Sequence, residues 1–447
     1  MPATTTIDHA AVDPADATAA LQQAIDRCHE RGGGTVHVSA GLYEVTTIQL
    51  KSNVELNLGP GATLRGRFDD AGYRPIDPEL ADTTALVFAR DATNVAITGS
   101  GCIDGQGPRY WKKLDRPRSR RPDVAEVGVI QFWYEHDTSL AKPHRLVAFL
   151  RCTKVRLVDV RLTQATSWTC HLIACRDVKI RGIDIDNPLE GPNTDGIDVD
   201  GSSDVLISDC TIRTGDDAVV LKTKNIFANH TPIRNVTVTN CRFHTGCNGF
   251  KIGTETREDI ENVCFSNTTI YSPDDAAPVE RAITGIVIES VDGAHVRNIA
   301  CSNITLINAR TPLFIRLGQR LQGQRTRAGS ISAVAISNIL AVGATHPSVI
   351  SGIPGNPIQD LQFHNIQIQT RGGGRDTVQQ IGEVPEHIAD YPEVFMFGQV
   401  PASVLYARHV ARMQLSNWLT RVHRPDARPQ LTTQDVVGLQ QSATPFN

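Results

Sequence analysis

No stretch of the 447-residue chain approaches the ~18 consecutive apolar residues of a membrane span. A basic opening followed by an apolar run is missing too. Met1-Pro2-Ala3-Thr4-Thr5-Thr6-Ile7-Asp8-His9 has neither region of a secretory leader. As written, the chain is expected in the cytoplasm, and secreted or periplasmic only if a leader preceded these residues. The ten cysteines form no Cys-x-x-Cys pair and no zinc spacing. Cys152, Cys175, Cys210, Cys241, Cys264 and Cys301 fall inside strand-like runs. This predicts buried reduced thiols acting as small hydrophobes, not a disulfide framework. Excess charge of one sign is absent, with a net charge of −4 and no basic stripe, so the footprint of a nucleic-acid reader is missing. The one dense basic run, residues 116–121, reads as a solvated loop. Neither nucleic acid nor a membrane is an expected partner, and no cofactor is expected.

There is also no linker that would separate a second domain. Length alone suggests two or three domains, but a solenoid extends its core along one axis and escapes that prior. Residues 14–31 read as one amphipathic helix. Ala17, Leu21, Ala24, Ile25 and Cys28 recur at helical spacing, and Gly32-Gly33-Gly34 stops it. From residue 35 a unit recurs to about 370: polar turn, alternating strand, Asn or Asp corner, second short strand. Copies include Val155–Val160, Val178–Ile183, Val205–Cys210, Val236–Cys241, Val263–Asn267 and Val334–Ile339. They recur at intervals of roughly 23 to 36 residues, the range of solenoids. The copies have no room for a helix and no Leu-x-x-Leu-x-Leu pattern, so the expected fold is an all-β parallel β-helix. The whole chain, residues 1–447, would be one such domain, with the helix capping its open end. Corner residues Asn240, Asn267, Asn303, Asn338 and Asn365 suit left-handed backbone and are expected to bond neighbouring backbone. Residues 371–447, with Pro385, Pro392 and Pro401, read as an irregular segment closing the other end, with short final strands near 404, 413 and 431.

Within this repeat lie Gly191-Pro192-Asn193-Thr194-Asp195-Gly196 and Thr214-Gly215-Asp216-Asp217. Positions one coil apart in a β-helix lie about 4.8 Å apart. Asp195 and Asp216 are close to one coil apart in sequence, so Asp195, Asp216 and Asp217 are expected on one lateral face. Like charges that close cannot all ionise freely, so at least one pKa is expected to rise. A raised acid beside ionised ones suits glycoside hydrolysis: one group protonates the leaving oxygen and another activates water. The competing readings are an ordinary Asp-Asp turn and a Ca²⁺ site. Against calcium, these acids sit among strand residues and lack the dense oxygen ligands of a dedicated loop, so no metal is expected.

Asn193-Thr194-Asp195-Gly196 and Gly215-Asp216-Asp217, set in this repeat, resemble the polygalacturonase family of glycoside hydrolases, family 28. Ala24-Ile25-Asp26, Gly32-Gly33-Gly34-Thr35-Val36, Ala62-Thr63-Leu64, Asp104-Gly105-Gln106-Gly107 and Trp168-Thr169-Cys170-His171 extend the resemblance over most of the chain. The resemblance implies a right-handed parallel β-helix that hydrolyses by single displacement with inversion. It implies Asp216 as general acid, Asp195 and Asp217 as the groups that place and deprotonate water, and Asn193 as an orienting group. His171 and Trp168 would contact sugar; a satisfied half-buried imidazole is the alternative for His171.

The departures are informative. The family's Gly-His-Gly falls at Gly246-Cys247-Asn248-Gly249, with Cys247 or Asn248 in place of the histidine. Rhamnogalacturonan hydrolases, a branch of the family, lack that histidine as well. The family's Arg-Ile-Lys falls at Val287-Ile288-Glu289, so the pair that grips a uronate is gone and Glu289 stands there. Unless Lys251, Arg316 or Arg281 takes over, the subsite beside the scissile bond should prefer a neutral or differently placed sugar. The leading expectation is an inverting hydrolase of a pectic or related plant-type oligosaccharide other than plain homogalacturonan. The alternatives are a lyase or epimerase on the same fold, which would not need three acids, and a carbohydrate-binding relative without catalysis.

Overall fold

The structure is a computed structural model describing residues 3–119, 131–277, 280–444 and 446. The basic run at 116–121 lies partly outside the described residues, and its described part ends the strand Trp111–Ser119 instead of forming a loop. The chain is an all-β, right-handed parallel β-helix. It divides into two compact units. One takes in the residues up to 116 together with 133–219 and 226–231; the other takes in 220–225 and the residues from 232 onward.

Three parallel ladders run through the first unit. One passes through Ala3–Ile7, Gly34–Val38, Val54–Leu58, Thr93–Gly99, Thr153–Val158, Arg176–Arg181 and Ser203–Ser208. A second passes through Ile48–Leu50, Ala85–Arg90, Arg145–Leu150, Trp168–Ile173 and Ile197–Asp200. The third passes through Gly41–Val45, Ala62–Gly66, Cys102–Asp104, Arg161–Thr163, Asp184–Asp186 and Thr211–Thr214. Val54–Leu58 and Ala62–Gly66 alternate between buried and half-buried residues, as strands with one face on an axial core must. Arg145–Leu150 is buried on both faces, because Ile76 and Phe227 pack with Phe88, Ala148 and Ile173.

The capping helix is Thr18–Glu30, and it buries Leu21, Ala24, Ile25 and Cys28 against the first rungs. It starts four residues later than the hydrophobic spacing predicts. Asp13 and Asp16 accept bonds from the amides of Ala15 and Thr18 at 3.0 and 3.3 Å, so residues 14–17 form turns and not a first helical turn. A strand ahead of the helix, Ala3–Ile7, was not expected from the sequence. None of the ten cysteines is in a disulfide, and eight are buried; of the six strand cysteines expected to be buried, Cys264 is only half-buried.

In the second unit, Ile260–Tyr271, His295–Ile307, Ser330–Ala344, Ile358–Gly372 and Leu405–Arg424 form one ladder of long strands. Asn248–Thr256, Thr284–Ser290, Thr311–Leu317 and Ser348–Ser351 form another, which the start of Leu405–Arg424 joins. The corner asparagines have positive φ, from 49° to 57°, across Asn240, Asn267, Asn303, Asn338, Asn365 and Asn417. Four of their links are side chain to side chain, not side chain to backbone as expected. Asn303 donates to Asn267, Asn338 to Asn303, Asn365 to Asn338 and Asn417 to Asn365, at 2.7–3.0 Å.

Much of the C-terminal stretch is regular. Leu405–Arg424 is a 20-residue strand in the ladder, and Leu431–Val437 pairs onto it. The irregular part is the excursion from 373 to 404. It covers the outward face of the shorter ladder, where Val287, Phe314, Val349 and Tyr406 stand in register. Val384, Val394, Phe395, Met396, Phe397 and Val400 bury themselves against that column. Burying each such side chain contributes about 1.5–3 kcal/mol, enough to hold a segment with little secondary structure of its own.

Candidate active site

In the first unit, the amide of Gly196 donates to the carbonyl of Asp217 at 2.9 Å, and that of Ile197 to Ala218 at 3.0 Å. Asp195 therefore lies one rung from Asp216 and Asp217, and the three acids share a strand edge, as their spacing predicts. The amide of Thr169 in turn donates to the carbonyl of Asp195 at 2.9 Å, which puts Trp168 and Thr169 on the adjoining rung. Asp195, Asp216 and Asp217 are 4, 6 and 4% exposed, so each keeps only a sliver of surface. Carboxylate oxygens of Asp216 and Asp217 lie within 4.8 Å of each other.

Glycine and threonine set the turns that carry the acids. The Thr194 hydroxyl donates to Gly191 O at 2.9 Å and accepts from the Gly215 amide at 3.1 Å, stitching one turn to the next. A Cβ on Gly215 would stand 2.4 Å from Gly191 O, and one on Gly196 would stand 2.4 Å from Ala218 O, so both positions need glycine. The Thr214 hydroxyl donates to Asp216 O at 2.7 Å, and the Asp217 amide donates to Asp216 Oδ1 at 2.9 Å. Asn193, exposed and at φ 52°, reaches Asp216 Oδ2 with its amide at 3.5 Å, in line with an orienting role.

His171 departs from the sugar-contact expectation. It has no exposed surface. Arg145 Nε donates to its Nδ1 at 3.1 Å, which leaves the ring proton on Nε2, facing Asp200 Oδ2 at 3.4 Å. The imidazole is thus committed to an internal network, the alternative that its strand position left open. Trp168 stands edge-on to it with centroids 4.7 Å apart and remains half-buried, so its ring can meet a ligand. Burial pushes the Arg145 guanidinium down to about 10, against the opposing pull of Asp198 and Asp200.

Three residues near the acids went unnoticed in the sequence. Arg145 pairs in register with Trp168. Trp111 donates from its indole to Thr166 O at 2.9 Å and fills the space that a Cβ on Gly191 would need. His136 is held down to about 4 by burial and the Lys142 charge, against a hydrogen bond with Asn193. No motif surrounds Trp111 and His136, since they come from excursions between coils. A lone arginine in an apolar strand was the only available signal, at Arg145.

The remaining candidates belong to the second unit. Cys247, Asn248, Lys251 and Glu289 line one pocket with Tyr391 and Glu393. Lys251 and Glu289 are 5 and 1% exposed. Arg316 is not in that lining. Its guanidinium donates to Ser351 Oγ at 2.7 Å and to the carbonyls of Gly352, Glu386 and His387 at 3.2, 2.9 and 2.9 Å. With 1% exposure it serves as an internal clamp, not the substitute uronate ligand that the sequence suggested. Arg281 donates to Ala276 O and Asp274 O at 3.1 and 2.9 Å within its own loop.

Comparison with known proteins agrees with this architecture. A polygalacturonase-type protein of Vitis vinifera, described as probable, is 28% identical over 219 residues, covering 46% of this chain and 40% of its own. The polygalacturonase QRT2 of Arabidopsis thaliana is 25% identical over 308 residues, covering 68% of this chain and 61% of its own. The chain thus spans roughly half of these relatives' length. The crystal structure of a hyperthermoactive exopolygalacturonase from Thermotoga maritima superposes with a TM-score of 0.64 at 22% identity. It covers 82% of this chain and 87% of its own, and so shares the fold. The family model of glycosyl hydrolases family 28 matches residues 28–389, and the chain belongs to that family.

Proposed function

We propose that the chain is an inverting glycoside hydrolase acting on a pectic or related plant-type oligosaccharide other than plain homogalacturonan. The observation that carries this reading is the pairing of Gly196 with Asp217, which sets Asp195 beside Asp216 and Asp217 at one strand edge. By its match to the family motif Asp216 is assigned as general acid; Asn193 and the Asp217 amide both bond its carboxyl group and fix its direction. Asp195 and Asp217 are assigned to place and deprotonate the attacking water. Positioned proton transfer of this kind supplies typically 10²–10⁴-fold. Trp168 is assigned to a sugar face. The substrate preference follows from Glu289, which stands where galacturonan-cleaving relatives would place a cation. The polygalacturonases among the relatives support the pectic class.

The test is an oligosaccharide panel read by product NMR in the first turnovers. Appearance of the inverted anomer from a pectic oligosaccharide is expected. Retention, or an unsaturated product formed without need of Asp216, would overturn the assignment in favour of a different mechanism or a lyase.

A further inference from the structure

In the first unit, the ladder that carries the candidate site hands the chain to the next ladder at a corner. The corner residues Asp91, Arg151, Ala174 and Gly201 all have positive φ, at 53°, 51°, 50° and 58°. Just past each corner, Thr93, Thr153, Arg176 and Ser203 stand in register. The residues between, Ala92, Cys152, Cys175 and Ser202, therefore stack in one column. Within it the amide of Arg176 donates to Cys152 O at 2.9 Å, and the amide of Cys175 donates to Ser202 Oγ at 2.8 Å. Cys152 and Cys175 thus occupy successive rungs, with backbones about 4.8 Å apart. A disulfide bridges Cα atoms about 4.4–6.8 Å apart, so this spacing admits one.

The side chains converge as well. Cys175 Sγ lies 3.2 Å from Phe149 O, back on the rung of Cys152. Cys152 Sγ lies 3.4 Å from Leu150 O, the next carbonyl along that strand. The two sulfurs gather over consecutive carbonyls and bond each other. The hydrogen bond from Cys175 holds the Cys152 thiol below the usual thiol range, while burial pushes the Cys175 thiol up. One sulfur is thereby favoured as thiolate and the other as proton carrier. Both are buried, at 1 and 2% exposure, yet the flanking Arg151 and Arg176 are exposed, so opening of the corner alone uncovers them. The coil between them carries Trp168 and His171.

We propose that Cys152 and Cys175 form a reactive dithiol site that closes to a disulfide with a small peroxide and reopens with a dithiol reductant. The Cys152 thiolate attacks one peroxide oxygen and the O–O bond breaks. This gives a sulfenic acid and hydroxide, which takes up the proton that the thiol had lost. The Cys175 sulfur then attacks the sulfenic sulfur. The S–S bond forms, the S–O bond breaks, and the departing hydroxyl leaves as water with the Cys175 proton. Two thiols are oxidised and one peroxide is reduced to two waters.

The test exposes the folded, fully reduced chain to hydrogen peroxide and maps its peptides by mass spectrometry. A loss of about 2 Da in a peptide pair joined through Cys152 and Cys175 is expected, reversed by dithiothreitol. In Cys175→Ser the sulfenic acid has no resolving thiol, so dimedone should trap it on Cys152. Absence of the joined peptides in the folded chain, or their appearance only after denaturation, would overturn the proposal. Failure of dimedone to mark Cys152 in a folded Cys175→Ser protein would overturn it too. None of these readouts depends on hydrolysis of a sugar.

Discussion

Arg145 donates from Nε to Nδ1 of His171, across one rung of the ladder that carries the candidate site. This bond fixes the imidazole tautomer and places a guanidinium where it acts on two buried carboxylates, Asp198 and Asp200. Replacing Arg145 by methionine keeps the volume but strips that cation from the network. A loss of about 3–5 kcal/mol in unfolding free energy is expected, read by denaturant titration. A loss under about 1 kcal/mol would show that the network is dispensable.

Asp216→Asn tests the site itself. The asparagine keeps shape and can still meet Asn193, but it cannot deliver a proton to a leaving oxygen. Turnover of any oligosaccharide found to be cleaved should fall by about 10²–10⁴-fold. Thermal unfolding should stay near that of the parent. Undiminished turnover would remove Asp216 from the chemistry.

Acid should weaken the fold before the carboxylates titrate. Burial is the first cause holding the imidazoles of His136 and His144 down to about 4, and that of His346 to about 3. Their ordinary value is near 6.5, so between these limits the unfolded chain binds protons that the folded chain refuses. Stability is therefore whole above about pH 6.5 and is lost as pH falls toward 4, at up to ~1.4 kcal/mol per pH unit for each histidine. His346→Gln should flatten the slope of unfolding midpoint against pH in that window. A profile that is level from pH 7 to 4 would refute the account.

The asparagine corners separate backbone geometry from side-chain bonding. Asn338 holds φ 54° and is bonded on both sides, to Asn303 and Asn365. Asn338→Gly keeps the left-handed backbone and loses two bonds, for an expected cost of about 1–3 kcal/mol. Asn338→Ala adds the strain of a left-handed alanine, about 1–2 kcal/mol more. Equal losses in the two variants would show that φ is irrelevant there.

The solenoid was legible because each coil repeats one instruction, apolar alternation followed by an αL-tolerant corner. The acid cluster was legible because three aspartates and their glycines lie within 23 residues of sequence. What stayed hidden came from chain that leaves the coil. Asn417 continues the corner series, but 52 residues separate it from Asn365, so the period breaks there. His136 and Trp111 reach the site from excursions whose sequence carries no period. Arg316 looked like a ligand because a charge in an apolar strand must have a partner, but the sequence does not say that the partners are the carbonyls of a segment some 70 residues on. His171 raised the same ambiguity, which Arg145 resolves.

The excursion between Gly372 and Leu405 leaves one rung and returns to the next without disturbing the amide row at Asn365 and Asn417. Scaffold and covering segment are thus separable inheritances. The winding can be kept while a different length of chain is held by the guanidinia of Arg316 and Arg408, which here bond the carbonyls of residues 384–387. A fold built this way can exchange one covering segment while its winding and its strand-edge carboxylates stay in place.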